Sequence, residues 1–582
     1  MVRRLIAALM FGGIVALAAL PQRLQAQAPD ARVRELADAY VAGLFAQYPE
    51  LNTSYGVPGA HHDRMGSNTL ESLRAWQRKE DTWLGDVTKV DPATIGDSRL
   101  RATYAILREA LEASVATRVC RSELWNVSQM TGWQVQHGFL VTIQPVGSDE
   151  ARRDALARWR ELPQFLDTEI ANLREGVRLG YTAPKLIVRI VIDQVSSLAA
   201  GPIADSPFGS PAVRDRSPAF TKEFDALVTD TINPAIIKYR DFLQKEYLPA
   251  ARDTIAVTAL PNGAACYDAS VRSHSSLQIT AKDIHALGVE QNALLGAEMK
   301  AISQRLYKTD DVPALLARLR TDPEQTFKDR EALIAYSQAA LARAKAAAPS
   351  WFGLLPKADV VIEPYPKFRE QNAPNEYNTP AEDGSRPGVF FINAYQPEKH
   401  SRVTDESTSF HETIPGHHLQ LAIAQELKGI HPLGKYVYNS GFAEGWALYT
   451  ERLADEMKLY SSDLDRLGML SSQGLRASRL VVDSGLHTMG WTRQQAIDYM
   501  KEHTAEGEHD IESEVDRYII FQGQATAYML GNLAIRKARD DAQQTMGATF
   551  DIKAFHDRVL EDGGVPLTFL TAKIKSWAAA AK

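Results

Sequence analysis

The residues best suited to chemistry are Phe410-His411-Glu412-Thr413-Ile414-Pro415-Gly416-His417-His418. An uninterrupted HExxH motif places two zinc-binding histidines one helical turn apart, with the glutamate directed at a metal-bound water. Here the position four residues after His411 is Pro415, which offers no metal-binding atom. A bulge at Pro415 and Gly416 would move His417 into the place of the second ligand, because glycine permits unusual backbone angles.

His418 is the alternative second ligand, and the sequence leaves the choice between His417 and His418 open. It lies seven residues after His411, about 10 Å along an unbroken helix that rises 1.5 Å per residue. Two imidazoles that far apart cannot share one ion. We therefore predict His411 and His417 as ligands, with His418 supporting a ligand or contacting substrate.

The third predicted ligand is Glu444, a single acid among small and apolar residues at 441–449. A lone carboxylate on such a face is costly unless something neutralises it, and one Zn²⁺ ion would do so. Two histidines and one glutamate leave the fourth zinc position open, as hydrolysis requires. Glu412 is then the predicted general base that activates the metal-bound water, and Glu451 is placed to orient a ligand imidazole.

Two later segments offer donors to an oxyanion. Arg479, Asp483 and His487 recur at every fourth position; we predict that the first two pair to support the fold and that His487 donates to the transition state. Tyr528, one turn after Gln524, is the second predicted donor, because a tyrosine hydroxyl beside zinc can stabilise a tetrahedral oxyanion. The structural alternative for Tyr528 is a half-buried core residue.

The elements that must position these residues are mainly helical. Apolar residues recur at helical spacing at 30–47, 151–178, 281–307, 323–348, 406–427, 442–457, 463–486 and 512–538. Prolines recur from 356 to 397, where 360–363 and 389–393 have the composition of strands. A free sheet edge near Phe391 and Asn393 is predicted to align an extended peptide; the alternative is a structural hairpin.

The N-terminal sequence predicts a secretory signal peptide at residues 1–26. Arg3 and Arg4 precede an apolar run at 5–20, and small residues precede the expected cleavage after Ala26. Removing these two arginines and Arg23 changes the charge from −7 to 62 − 72 = −10, which argues against nucleic acid as a partner. No cysteine lies nearby to be lipidated, and no later apolar run spans a bilayer. We expect a periplasmic protein without stable membrane insertion.

The mature chain, residues 27–582, is predicted to be a single large helical domain, with lobes at about 27–350 and 351–582. Its two cysteines, Cys120 and Cys266, exclude a cysteine-rich zinc module. In an oxidising compartment they form either one disulfide or two buried thiols, and the sequence leaves both open. It does not set the oligomeric state.

The motif at 411–418, followed by Phe442-Ala443-Glu444-Gly445-Trp446-Ala447, resembles a bacterial family catalogued as a domain of unknown function. That family is related to zinc metallopeptidases of the thimet oligopeptidase, angiotensin-converting enzyme and Taq carboxypeptidase type. The likeness covers nearly all of the mature chain. It implies a bilobed, zincin-like helical fold with a small sheet beside the active-site helix. It also implies that His411, His417 and Glu444 bind zinc, while His487 and Tyr528 stabilise the transition state.

Taken together, the sequence predicts a zinc-dependent peptidase that cleaves short peptides. Two alternatives stay open: a zinc-dependent esterase or amidase with the same metal and water, and a non-catalytic zinc-binding or peptide-binding protein. Arg386, Arg479 and Arg517 are three candidates for binding the C-terminal carboxylate of a peptide, and the sequence does not choose among them.

Overall fold

The computed structural model describes residues 28–57, 59–365, 375–380 and 386–581. The predicted signal peptide lies outside the described residues. The described chain is mainly helical, with one small sheet, as the sequence predicts. Among the helices it describes, none is long and apolar enough to cross a membrane.

The longer helices of the N-terminal part are α1 Pro29–Gln47, α2 Leu70–Val87, α3 Ser98–Thr117, α4 Trp133–Ile143, α5 Asp149–Arg160, α6 Leu162–Leu179, α7 Lys185–Leu198, α8 Pro218–Leu227, α9 Asn233–Phe242, α10 Gly263–Ser275, α11 Ala281–Tyr307, α12 Val312–Thr321 and α13 Arg330–Ala347. The C-terminal part contains α14 Asp405–Glu412, α15 His417–Glu426, α16 Ser440–Glu456, α17 Asp463–Thr488, α18 Arg493–His503, α19 Glu508–Ile520, α20 Ala527–Met546, α21 Ile552–Leu560 and α22 Leu567–Ala580. Short helical turns join several of them.

Local capping explains where several helices begin. Helix α11 has the predicted bounds because the Thr280 side chain accepts a hydrogen bond from the Asp283 backbone N–H. The helix predicted over 151–178 is instead two helices, α5 and α6, which meet at Glu161 with Pro163 in the first turn of α6. Proline lacks a backbone donor and fits only the start of a helix, so it divides the segment.

The sheet has three strands, β1 Val360–Pro364, β2 Glu376–Asn378 and β3 Gly388–Ile392, in the order β1-β3-β2. Strand β3 is parallel to β1 and antiparallel to β2. The predicted free edge near Phe391 is therefore wrong, because β3 is the central strand. Strand β2 is the terminal strand on that side of the described sheet.

The buried apolar residues form two clusters. One draws its residues from 120–319 and 467–530, with Val403 and Leu448; the other draws from 33–111, 327–459 and 535–578. Neither cluster is confined to one side of residue 350. The first helices of the chain thus pack with its last ones, and the segment carrying the His-Glu motif joins the second cluster through Phe410 and Leu419.

Cys120 and Cys266 form a disulfide between residues 146 positions apart in the chain. This decides the question that the sequence leaves open. The bond ties the turn after α3 to helix α10, and a crosslink over so long a loop restricts the unfolded chain strongly.

Candidate metal centre

The His-Glu motif does not form one helix. Helix α14 ends at Glu412, helix α15 begins at His417, and the four residues Thr413 to Gly416 form a non-helical turn between them. The predicted single helix over 406–427 is thus interrupted by more than a local bulge. The backbone N–H of Gly416 donates to the carbonyl of Phe410 at 3.0 Å, so the chain folds back on α14.

Two contacts explain why this turn takes its shape. A Cβ atom on Gly416 would lie 1.9 Å from the His411 carbonyl oxygen, so only glycine permits the close approach. The indole Nε1 of Trp446, on helix α16, donates to the Pro415 carbonyl at 3.1 Å in a buried setting. The Pro-Gly insertion is therefore fixed by a helix that follows it in sequence.

The turn brings His417 beside His411, and helix α16 adds Glu444. The two imidazole rings are 4.8 Å apart between centroids and nearly perpendicular. Glu444 Oε2 lies 3.7 Å from His411 Nε2 and 3.4 Å from His417 Nε2. One ligand atom from each of the three residues lies within 4.8 Å of the others. Ligand atoms about 2.0–2.1 Å from a tetrahedral zinc are separated by about 3.4 Å, so these residues fit the ion.

The partners of His411 leave one of its ring nitrogens available to a metal. Glu451 Oε1 lies 2.8 Å from Nδ1, and Nε2 faces Glu444. Because an ionised carboxylate only accepts, Nδ1 donates, and Nε2 is the ring nitrogen that could bind a metal in place of a proton. Burial alone would lower the pKa of His411, but hydrogen bonds to Glu444 and Glu451 raise that pKa to about 9. The two carboxylates therefore favour positive charge at this imidazole.

Glu444 is held in a similar way. The Tyr438 hydroxyl donates to its Oε1 at 3.1 Å, while Oε2 faces the two histidines. Burial opposes ionisation of Glu444, yet hydrogen bonds with His411 and His417 keep its pKa well below the ordinary value. Tyr438 could not be predicted from the sequence, because a tyrosine in the loop before a helix carries no periodic signal.

The three residues line a cavity of about 550 Å³, together with Glu412 and Tyr528. Burial raises the pKa of Glu412, and the nearby His417 and His411 oppose that rise. Its carboxyl group has no hydrogen-bond partner in the described part of the chain. A carboxylate with a raised pKa and free oxygens suits a general base.

Tyr528 reaches the cavity because helices α16 and α20 cross closely. A Cβ atom on Gly531 would lie 1.9 Å from the Gly441 carbonyl oxygen, so the two backbones are in contact. The Tyr528 ring is stacked on His411 with centroids 6.5 Å apart. Burial and the charge of Glu444 raise the pKa of Tyr528, so its hydroxyl stays protonated and can donate.

A family model for bacterial proteins of unknown function (DUF885) matches residues 49–574. The chain belongs to this family. No curated protein matches the chain. Among solved structures, it is similar to a protein from Colwellia psychrerythraea described as a "putative lipoprotein", with a TM-score of 0.87 and 23% identity over 95% of this chain and 100% of the other. It is also similar to a "putative lipoprotein of unknown function" from Shewanella oneidensis, with a TM-score of 0.74 and 17% identity over 93% and 99%. At these identities the likeness shows the fold.

Within this family member, His418 points away from the ligand cluster. Its Nε2 lies 3.1 Å from the carbonyl of Ala358 and its Nδ1 lies 2.9 Å from the Tyr377 hydroxyl. A carbonyl only accepts, so Nε2 carries the proton and Tyr377 donates to Nδ1. His418 thus links helix α15 to strand β2, and both of its nitrogens are engaged.

His487 does not reach the cavity. Its Nδ1 accepts from the Val257 backbone N–H at 3.0 Å, and its Nε2 donates to the Tyr518 carbonyl at 2.9 Å. The ring is buried, and burial lowers its pKa to about 4. It lies eight residues beyond Arg479, about 12 Å farther along the helix, which explains why Arg479 lines the cavity and His487 does not.

The predicted pairing of Arg479 with Asp483 is also absent from the described structure. Arg479 donates through Nη2 to Glu514 at 2.7 Å. Asp483 accepts from the Tyr267 hydroxyl at 2.7 Å and from the Gly523 backbone N–H at 3.0 Å. Residues four apart on a helix lie on one face, but here the nearest partners come from other elements.

Proposed function

We propose that this protein is a zinc-dependent peptidase that cleaves short peptides, with Glu412 as general base. The observation that carries the proposal is the convergence of His411, His417 and Glu444 within 4.8 Å on the wall of a cavity that also contains Glu412. Two imidazoles and one carboxylate are the ligand set of many catalytic zinc sites, which keep a fourth position open. Bound zinc supplies Lewis acidity, which lowers the pKa of water and polarises a carbonyl group.

The protein's own residues supply the proton transfers. Glu412 takes the proton from the attacking water and passes it to the leaving amine, since its raised pKa suits both roles. Tyr528 donates to the carbonyl oxygen as negative charge develops there. Glu451 holds His411 in one orientation, and Tyr438 holds Glu444 with Oε2 toward the histidines.

The cavity suits a short, extended peptide. Its volume of about 550 Å³ lies within the range of about 300–1,000 Å³ typical of small-ligand sites. Asn375, Glu376 and Tyr377 line it, which places strand β2 along one wall. A peptide that adds to β2 as a further strand would have its backbone fixed beside Glu412. The bilobed, zincin-like arrangement of related peptidases forms part of this proposal.

Export is a further part of the proposal. The signal peptide predicted at 1–26, the Cys120–Cys266 disulfide and the likeness to two proteins described as "putative" lipoproteins all support a protein that acts outside the cytoplasm. Short peptides in the periplasm are the corresponding substrates.

The test compares the wild type with Glu412→Gln and with a control variant, Glu456→Gln. Glu456 is an exposed residue on α16 that pairs with Arg539. We expect each protein to hold one zinc ion by elemental analysis. Glu412→Gln should lose hydrolysis of a mixed peptide library by at least about 10²-fold, while Glu456→Gln should keep it. A wild type that cleaves esters and no peptide would favour the esterase alternative. A wild type that holds zinc and cleaves neither would favour a binding protein.

A further inference from the structure

Two arginines on helix α17, Arg476 and Arg479, line the same cavity as the ligand cluster. The Nε atom of Arg476 and the Nη1 atom of Arg479 are buried and have no hydrogen-bond partner in the part of the chain that the structure describes. A buried donor without an acceptor destabilises the fold, and it does so more strongly when it carries charge. Such donors on a cavity wall indicate that the acceptor comes from a ligand.

Neither arginine has a carboxylate of its own within hydrogen-bond distance. Arg479 uses Nη2 on Glu514 at 2.7 Å, and the same carboxylate accepts from Arg517 at 3.0 Å. One carboxylate therefore serves two guanidinium groups. The nearest carboxylate to Arg476 is Glu451 at 3.8 Å, beyond hydrogen-bond distance.

Glu451 is moreover committed elsewhere. Its oxygens accept from His411 at 2.8 Å, from Ser407 at 3.0 Å and from Gln473 at 3.1 Å. Glu506 and Asp510 also line the cavity, but neither forms an ion pair with Arg476 or Arg479 among the described residues. The Nε atom of Arg476 and the Nη1 atom of Arg479 are thus left without an acceptor among the described residues.

We propose that Arg476 and Arg479 together bind a carboxylate of the substrate, at a fixed distance from the bond that is cut. They are three residues apart, so their side chains leave the same face of α17 about 4.5 Å apart along its axis. Guanidinium groups match carboxylates in a two-point geometry. The proposal rests on the proposed peptidase function and adds the substrate class.

Arg386 and Arg517, the other two arginines that the sequence offers for binding a peptide carboxylate, fit this role less well. Arg517 has its Nη1 on Glu514 and its Nη2 on Gln524, and Arg386 is exposed with its Nη2 on the carbonyl of Thr379. Arg386 does not line the cavity. The ligand carboxylate has two sources: the C-terminus of a peptide, or an aspartate or glutamate side chain within it.

The experiment uses matched peptides of one sequence, with a free C-terminal carboxylate or a C-terminal amide, and with an internal glutamate or glutamine. We expect the wild type to prefer one acidic member by about 10–100-fold in kcat/KM. Arg476→Gln should reduce that ratio toward one, with the zinc content of the variant measured alongside by elemental analysis. Arg479→Lys should reduce the ratio partly, and Arg386→Gln should leave it unchanged. If the preference lost in Arg476→Gln is that for the free C-terminus over the amide, the bound carboxylate is the peptide's C-terminus. If it is that for glutamate over glutamine, the bound carboxylate is a side chain.

A ratio near one in the wild type for both peptide pairs would overturn the inference. An equal loss for acidic and uncharged peptides in Arg476→Gln would do the same. Peptide affinity, measured by calorimetry on zinc-loaded Glu412→Gln, reports the preference for the acidic member in binding, without turnover. A protein that cleaves no peptide but binds the acidic member 10-fold more tightly would therefore contradict the peptidase proposal and support the carboxylate site.

Discussion

Glu451 Oε1 lies 2.8 Å from Nδ1 of His411, and both residues are buried. Ser407 and Gln473 donate to the other oxygen of Glu451, so the carboxylate cannot turn away from the imidazole. Burial would raise the pKa of Glu451, but Arg476 and His411 keep it below the ordinary value. An ionised carboxylate behind a ligand imidazole fixes its tautomer and strengthens the metal bond.

We predict that Glu451→Gln weakens zinc binding by about 10–100-fold, because a neutral amide no longer fixes the imidazole proton on Nδ1. Competition with a fluorescent chelator measures the affinity. Glu456→Gln, five residues later on the exposed side of α16, is the matched control and should bind zinc like the wild type. Equal affinity in the two variants would show that Glu451 acts only in folding.

The two neighbouring histidines have different predicted outcomes. His417→Ala removes a proposed ligand, so we expect less than one zinc ion per chain by elemental analysis. His418→Ala should keep zinc, since His418 bonds to Ala358 and Tyr377 rather than to the cluster. It should raise KM by freeing strand β2 from helix α15. Loss of zinc from His418→Ala alone would instead assign His418 as the ligand.

Sequence reasoning identified the residues of the cluster but not the way in which the chain assembles them. The residue types at His411, His417 and Glu444 indicate metal binding whatever the path of the backbone between them. The break between α14 and α15 depends on the bond from Trp446 to Pro415, a contact between segments that local propensity does not contain. The same applies to the Cys120–Cys266 pairing across 146 positions.

Helical periodicity did not predict correctly which residues of α17 reach the cavity, because it does not give the position of a residue along the helix relative to the site. Arg479 and His487 share one face of α17, yet only Arg479 lines the cavity, because helical period defines a direction and not a distance from the site. Strand order is likewise not given by strand sequence. The run around Phe391 has the composition of a strand, but its central position between β1 and β2 follows from pairing.

Tyr528 and His487 can be separated by kinetics. Tyr528→Phe should lower kcat by about 10²-fold with zinc content unchanged, because it removes the proposed donor to the developing oxyanion. His487→Ala should leave kcat unchanged and lower the free energy of unfolding by about 2–4 kcal/mol, since it removes the buried bonds to Val257 and Tyr518. Steady-state kinetics and urea unfolding measure both. A fall in kcat for His487→Ala without a loss of stability would indicate that His487 acts in catalysis.

We predict that the free energy of unfolding depends on pH through Asp405, which lies in the first turn of the helix that carries His411. Burial raises the pKa of its carboxyl to about 7, which the hydrogen bond from Ser337 opposes. The folded state therefore holds this proton more tightly than the unfolded chain, where the pKa is near 3.9. The stability due to protonation is present below pH of about 4 and is lost as the pH rises through 7, by up to about 4 kcal/mol.

Asp405→Asn keeps the shape and cannot ionise. We expect its free energy of unfolding, relative to the wild type, to rise between pH 4 and pH 7 and to stay constant above pH 7. Urea unfolding at fixed pH values measures the difference. Asp310→Asn is the control, because hydrogen bonds from Gln304 and Lys300 lower the pKa of that exposed carboxyl and its contribution changes only in acid. A pH-independent difference for Asp405→Asn would show that folding does not raise the pKa of Asp405.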